Sequence, residues 1–308
     1  MRVAQISILL AVTLLPLVWV GCQPRSESAQ ETALPVPGRP LTGQIVSVDA
    51  ERRTLLVDHD EIPDYMPRMT MEFQASAADI ANAIEGQRIR ARLLEEGEGV
   101  CRLAHIWPIE DVGASQVSGS AAALRQDTTI RGRSAFRSVG EDLPSFALYD
   151  QTGEVVDISR YRGKYILLNF IYTRCPIATM CPAAINLMEA VQHDVGEVGR
   201  SEELELISIT FDPEYDTPGV LREFAEVRGI DTSNYSFMTG PESAIKDLLR
   251  QFGVLAQVEG PLIQHTLATL LIDPQGRIID RADGSQWDVE QFVRKILRKR
   301  GQTQMLKI

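Results

Sequence analysis

The sequence predicts two domains of different class in series: a small all-β barrel and a larger α/β domain. Three observations carry this. Between residues 41 and 109, five short stretches with strand-like alternation are separated by turns. From about 139 onward, continuous apolar strands alternate with helical runs, the pattern of a sheet covered on both faces. A chain of 308 residues is long enough for each domain to bury its own core.

The elements follow in order. Residues 1–22 read as an export signal, with Arg2 as a minimal positive region and Ile6 to Val20 as an apolar run broken by Ser7, Thr13 and Pro16. Gly21-Cys22 has the form of a lipoprotein cleavage tail that would leave Cys22 as the lipidated N-terminus. Trp19 stands where Leu is usual in such boxes, so an uncleaved anchor is the rival reading. Either way the body is expected to be periplasmic or otherwise extracytoplasmic, and tethered to the membrane. Residues 23–40 are rich in Pro, Ser, Glu and Gln and read as a spacer. Barrel strands are expected at T-G-Q-I-V-S-V-D, T-L-L-V-D-H, R-M-T-M-E-F, R-I-R-A-R-L-L and V-C-R-L-A-H-I-W, which places an antiparallel barrel over residues 41–110. Residues 111–138, small and polar, read as a second linker. The α/β domain is expected over residues 139–302, with strands Y-I-L-L-N-F-I-Y, L-E-L-I-S-I-T-F and T-L-A-T-L-L-I-D and helices near 183–196, 218–228, 242–252 and 287–299.

A net charge of −11 with no long basic run argues against nucleic acid as a partner. The basic cluster Arg294, Lys295, Arg298, Lys299 and Arg300 closes a helix expected after Ser285, where cations complement the helix dipole. Beyond Cys22 only Cys101, Cys175 and Cys181 remain, too few for a disulfide-stapled scaffold. Cys101 falls on one strand face with Leu103, His105 and Trp107 and reads as a buried small hydrophobe.

Two stretches gather soft metal ligands. His59 precedes Met66, Met69 and Met71, and in a strand Met69 and Met71 share a face with Phe73. Cys175 ends a buried strand, Cys181-Pro182 opens a helix, and His265 starts a strand ninety residues after Cys175. Thiolate, thioether and imidazole together suit Cu(I). Methionine as ordinary core filler is the bland alternative for the first group. The second group allows two chemistries, since the five residues between the cysteines can fold back to close a Cys175–Cys181 disulfide although the spacing is not C-x-x-C.

H-D-x-I followed by x-P-x-M-T-M-x-F resembles the CusF-like copper-binding proteins, an OB-like barrel family, over residues 41–109. The resemblance implies His59, Met69 and Met71 as Cu(I) ligands. The family's capping Trp is replaced by Met66, which could add a thioether, and Tyr65 is a weaker substitute for the cap. The blocks L-P-S-F-A-L-Y-D-Q-T-G, G-K-Y-I-L-L-N-F-I-Y-T-R-C-P, S-I-T-F-D-P-E-Y-D-T-P and Q-H-T-L-A-T-L-L-I-D-P-Q-G-R-I resemble the Sco/SenC family over residues 139–300. This implies a thioredoxin fold, copper ligands Cys175, Cys181 and His265, and delivery of copper to the binuclear copper centre of cytochrome c oxidase or to another cuproprotein. The cysteine spacing is longer than the family's usual three intervening residues.

The expected function is therefore an exported copper chaperone carrying copper as Cu(I), with Cu(II) as a second state, and depending on a periplasmic thiol reductant. The alternative is a thiol:disulfide oxidoreductase in which Cys175 attacks and Cys181 resolves. The Pro usual beside thioredoxin-type thiols is absent before I-Q-H-T, which weighs against that alternative. A thiol peroxidase would need Thr where Tyr172 stands. His193 and His105 lack ligand companions in the sequence; Asp216 or Thr217 reads as the cap of the helix at Pro218, and Asp212 as a group that could aid partner docking.

Overall fold

The structure, a computed structural model, describes residues 34–97, 99–109, 112–132, 135–259 and 262–298. The expected signal segment, Cys22 and the last basic residues Lys299 and Arg300 lie outside the described residues. Among the described residues, no helix is long and apolar enough to cross a membrane.

The first domain is a closed barrel of five strands: β1 (Arg39–Asp49), β2 (Thr54–His59), β3 (Met69–Gln74), β4 (Arg88–Glu96) and β5 (Val100–Ile109). The strand order is β1-β2-β3-β5-β4, and a short helix α1 (Ala77–Asn82) follows β3. Closure is not wholly antiparallel as expected: β3 meets β5 in parallel, at Gln74 and Arg102. Alternation along the strands sends Leu55, Val57, Phe73, Ile89, Leu93 and Leu103 inward, and these form the barrel core.

One strand breaks the alternation that the sequence implies. The register of β4 against β5 shifts between Arg90 and Arg92, and His105 takes a positive φ of 52°. That extra residue is a β-bulge, which turns the chain over. Cys101 and Leu103 stay with the barrel core, whereas Trp107 packs with Tyr149 of the second domain. The four residues expected on one face are thus divided between two.

Residues expected as the second linker form a helix, α2 (Val112–Arg131). Its Val117, Leu124 and Thr128 are buried, at spacings that make one helical stripe. Small and polar residues cover the remaining faces, so composition alone reads as a spacer although no proline interrupts the run. The first spacer is also anchored at its described end, where Leu34 is buried in the core of the second domain and β1 already begins at Arg39.

The second domain has a five-stranded sheet in the order β10-β9-β8-β13-β14. Its strands are β8 (Tyr165–Ile171), β9 (Leu204–Thr210), β10 (Tyr235–Met238), β13 (Ala268–Ile272) and β14 (Ile278–Asp283), with the hairpin β6 (Ala147–Tyr149) and β7 (Val155–Asp157) preceding and the hairpin β11 (Ala256–Glu259) and β12 (Leu262–His265) inserted before β13. The first three sheet strands are parallel, connected by α3 (Cys181–Glu197) and α4 (Pro218–Arg228); α5 (Glu242–Phe252) follows β10, and β13 runs antiparallel to β8. The last helix, α6 (Val289–Leu297), is capped by Asp288, whose carboxylate accepts from the Gln291 amide. Its start is a few residues later than expected. This is a thioredoxin-like arrangement, with the helices supplying apolar cover to strands buried along their whole length.

From Glu31 onward the two domains belong to one compact unit. Arg90 pairs with Glu214 at 3.1 Å, Asn82 donates to the Gln151 carbonyl at 2.9 Å and accepts from Arg222 at 2.9 Å, and Trp107 meets Tyr149 edge to face. At the α1–α4 crossing a Cβ on Gly219 would lie 2.0 Å from Asp79 Oδ1, so the close approach requires glycine.

Burial at this crossing, reinforced by nearby Glu223, pushes Asp79 up to about 6 despite the opposing hydrogen bond from Ser76. A carboxyl raised above its unfolded value contributes stability below about 4 that is lost as pH rises through about 6. Asp79→Asn should remove this dependence. Urea unfolding from pH 4 to pH 8 is expected to show the variant gaining on the wild type by up to about 3 kcal/mol, the free-energy equivalent of the shift; parallel pH profiles would contradict it.

Candidate metal centres

Three elements deliver the second domain's ligands. Cys175 follows β8 by way of a turn in which its amide donates to the Tyr172 carbonyl at 3.3 Å. Cys181 is the first residue of α3, held there by the Met180 amide bonding back to Ile177 and by Pro182, whose fixed φ suits a helix start. His265 closes β12. Their ligand atoms lie within 4.8 Å of one another, and among the described residues this is the only such group of His, Cys, Asp and Glu side chains. Cys181 Sγ is 3.5 Å from His265 Nε2. The opposite ring nitrogen, Nδ1, faces the Thr266 carbonyl at 3.3 Å. If Nδ1 carries the proton toward that carbonyl, the ring is held in orientation and the Nε2 lone pair is left for a metal. Phe211 packs on the imidazole at 4.5 Å between centroids, and Tyr172 meets it edge-on at 5.6 Å.

The two thiols differ. Cys175 is lowered to about 4, chiefly because the Cys181 thiol donates to it, with backbone and His265 contributions against an opposing cost of burial. Cys181 is raised by that same donation and by burial. The pair therefore holds one proton, on Cys181, and presents a half-buried thiolate on Cys175. Neither cysteine forms a disulfide in this structure.

Around them, Asp216 accepts from the Thr173 amide at 3.1 Å, from the Thr173 hydroxyl, and from the Thr210 hydroxyl at 2.5 Å. This corrects its expected role. Asp216 braces the turn before Cys175, and Thr217, although it is the N-cap residue of α4, makes no capping hydrogen bond through its side chain. Asp212, expected as a docking group, is buried and paired with Arg174 at 2.6 Å. His193 is exposed on α3 beside Asp194.

The barrel ligands gather at one end. His59 is paired in register with Met69, and Val57 with Met71, so His59, Met69 and Met71 share the inward side of β2 and β3 with Phe73. His59 is fully buried; its Nδ1 lies 2.8 Å from the Asp60 carbonyl, while its Nε2 is buried without a partner. An unsatisfied buried ring nitrogen is costly, and a metal at this end would satisfy it. Met69 is 45% exposed and Met71 partly buried, so the group opens to solvent. Met66, like Met71, packs partly buried against the barrel core, its backbone bridged to Ile62. Tyr65 is covered by the Arg39 guanidinium at 4.5 Å.

Two thiols and an imidazole converging beside a thioredoxin-like sheet define a class: thioredoxin-fold domains with a soft Cys–Cys–His centre, here preceded by a barrel carrying its own His–Met group. Residues 138–300, more than half of the chain, match the SCO1/SenC family model, and residues 39–108 match that of the copper-binding periplasmic protein CusF. The chain belongs to the SCO1/SenC family. A SCO2-like protein of Rickettsia typhi is 32% identical over 161 residues, spanning 49% of this chain and 75% of that protein. Among solved structures, BsSco, described as a member of the Sco family of cytochrome c oxidase assembly proteins with a disulfide switch, is 24% identical, covers 52% of this chain and 94% of its own, and has a TM-score of 0.46. Arabidopsis thaliana ScoI with copper bound is 24% identical, covers 52% of this chain and 96% of its own, and has a TM-score of 0.44.

The unequal thiols give a direct test on the reduced apoprotein. Cys175 should be alkylated by iodoacetamide first, at a rate nearly constant between pH 6 and 8 because its thiolate is already formed, while Cys181 stays protected until unfolding. Cys181→Ala removes the donor and should move the midpoint of the Cys175 rate profile upward. Equal labelling of both cysteines in the folded protein would refute the assignment.

Proposed function

We propose that this protein is an extracytoplasmic copper chaperone, tethered by its N-terminal segment, that carries Cu(I) in two domains and delivers it to a cuproprotein. The acceptor in this reading is the binuclear copper centre of cytochrome c oxidase. The observation that carries it is the convergence of two sulfurs and one imidazole within 4.8 Å, a soft donor set suited to a d¹⁰ ion. Family membership and the copper-bound relative support the metal, and BsSco supports the acceptor. The CusF-type match and the orphaned His59 nitrogen support a second Cu(I) at His59, Met69 and Met71, with Met66 on the same barrel core as a further thioether.

Cu(I) arriving at the Cys–Cys–His centre would meet the Cys175 thiolate first and displace the proton of Cys181, so uptake there depends on pH and on both thiols being reduced. Met69, exposed at the barrel's open end, would be the first contact of the barrel site. A second reading, thiol:disulfide exchange with the cysteines of the copper acceptor, is favoured by one observation, the low Cys175 thiol beside a protonated Cys181 that could resolve a mixed disulfide. A periplasmic thiol reductant serves both readings.

The reduced full chain should bind two Cu(I). Anaerobic titration against a chromophoric Cu(I) chelator should show one lost in Cys175→Ala or His265→Ala and the other lost in the Met69→Ala, Met71→Ala variant. Two Cu(I) retained when Cys175, Met69 and Met71 are all replaced would reject both sites.

A further inference from the structure

Arg174 immediately precedes the ligand Cys175, and its side chain is held on several sides. Its Nε donates to Asp212 Oδ2 at 2.6 Å, and its terminal nitrogens donate to the carbonyls of Pro35 and Leu34, each at 3.3 Å. Its guanidinium lies 4.2 Å from the centroid of the Tyr215 ring. The Tyr215 ring in turn faces that of His105 at 4.5 Å, and the Tyr215 carbonyl meets His105 Nδ1 at 2.9 Å.

Two of these ties lead into the barrel. Leu34 and Pro35 run within a few residues into β1, and His105 lies at the bulge of β5. A non-glycine residue in the left-handed region is strained, a conformation kept where its surroundings impose it. Here the imposed conformation aims the imidazole at Tyr215. The Leu34 and Pro35 carbonyls thus terminate on the residue beside Cys175, and His105 reaches it through Tyr215, while the Asp79–Gly219 and Asn82 contacts join the same domains elsewhere.

We propose that Arg174, Tyr215 and His105 are positioning residues through which the docked barrel sets the geometry of the Cys175 turn, so that the barrel tunes the Cys–Cys–His centre as well as carrying its own ligands. The guanidinium acts as a planar fork, fixing the turn relative to the barrel lead through the two carbonyls and relative to the bulge through Tyr215. The link rests on the copper reading proposed above, because its readout is metal affinity at that centre. It involves no bond made or broken.

The test uses the full chain with Met69→Ala and Met71→Ala, so that only the Cys–Cys–His centre titrates, and measures Cu(I) affinity by chelator competition and the alkylation rate of Cys175 in the apoprotein. Arg174→Gln should weaken Cu(I) binding about tenfold, as is typical for loss of an outer-shell partner. His105→Ala, which removes the contacts to Tyr215, should weaken it about threefold, a coupling of the usual size between linked sites. The double variant should lose less than the product of the two single effects, because both act through one link. Both single variants should also change the Cys175 alkylation rate. Asn82→Ala loosens the same interface away from Tyr215 and should leave affinity and rate unchanged. If Arg174→Gln also exposes Cys181 to alkylation, Arg174→Lys, which keeps the charge for Asp212 and loses the fork, carries the same expectation. Wild-type affinity in His105→Ala, multiplicative effects in the double variant, or an equal effect from Asn82→Ala would each overturn the link. Absence of any Cu(I) at the centre in the parent would instead overturn the copper reading itself.

Discussion

The antiparallel pairing of β13 against β8 is the constraint on which the centre depends. It places Leu270 beside Leu168 and Thr269 beside Asn169, and so brings the hairpin that ends in His265 back to the turn that leaves β8. All five residues of β13 are buried, as are the last six of β8, so this register is specified by apolar packing on both faces. A slip by one residue would reverse every side chain along the strand. Cys175, Cys181 and His265 ride on that register as passengers, which is why a group of three side chains able to hold a metal can be assembled where the surrounding positions are Tyr172, Phe211 and Met180.

The hydrogen bond between the thiols then does the electrostatic work. In water two neighbouring thiols titrate alike; here Cys181 donates to Cys175, and the deeper burial of Cys181 adds to the inequality. The aromatic cover over His265 limits the directions from which a ligand can reach the ring. At the barrel's open end the balance differs: His59 is enclosed, but its thioether neighbours are neutral and reach solvent. Thioethers carry no charge whose desolvation must be offset, and the barrel can hold them without a counterion.

Much of this was legible in the sequence. Strand alternation and buried runs disclosed both domains, and the ligand residues stood out by type: His59 with its methionines, Cys175 and Cys181 with a later His265. The resemblance to known families supplied their grouping, which spacing alone leaves open. What escaped the reading has a common cause, since each feature depends on a neighbour distant in the chain. The bulge at His105 carries no glycine to announce it. In α2, a stripe of Val117, Leu124 and Thr128 is too sparse to distinguish from a spacer until α5 is placed against it. Asp216 and Thr217 before Pro218 fit a helix start, and only the fold shows that the carboxylate turns to Thr173 and Thr210 instead. Arg174 reads as an ordinary surface cation until Asp212, Tyr215 and Leu34 surround it.

The lone proton held between Cys175 and Cys181 gives the two stations different acid–base accounts. Under the function proposed above, a cuprous ion entering the barrel meets uncharged thioethers, whereas one entering the thiol centre must expel a hydrogen ion. In that reading the cysteine station takes up metal more readily as its surroundings become alkaline, while the thioethers of the other station carry no proton to lose.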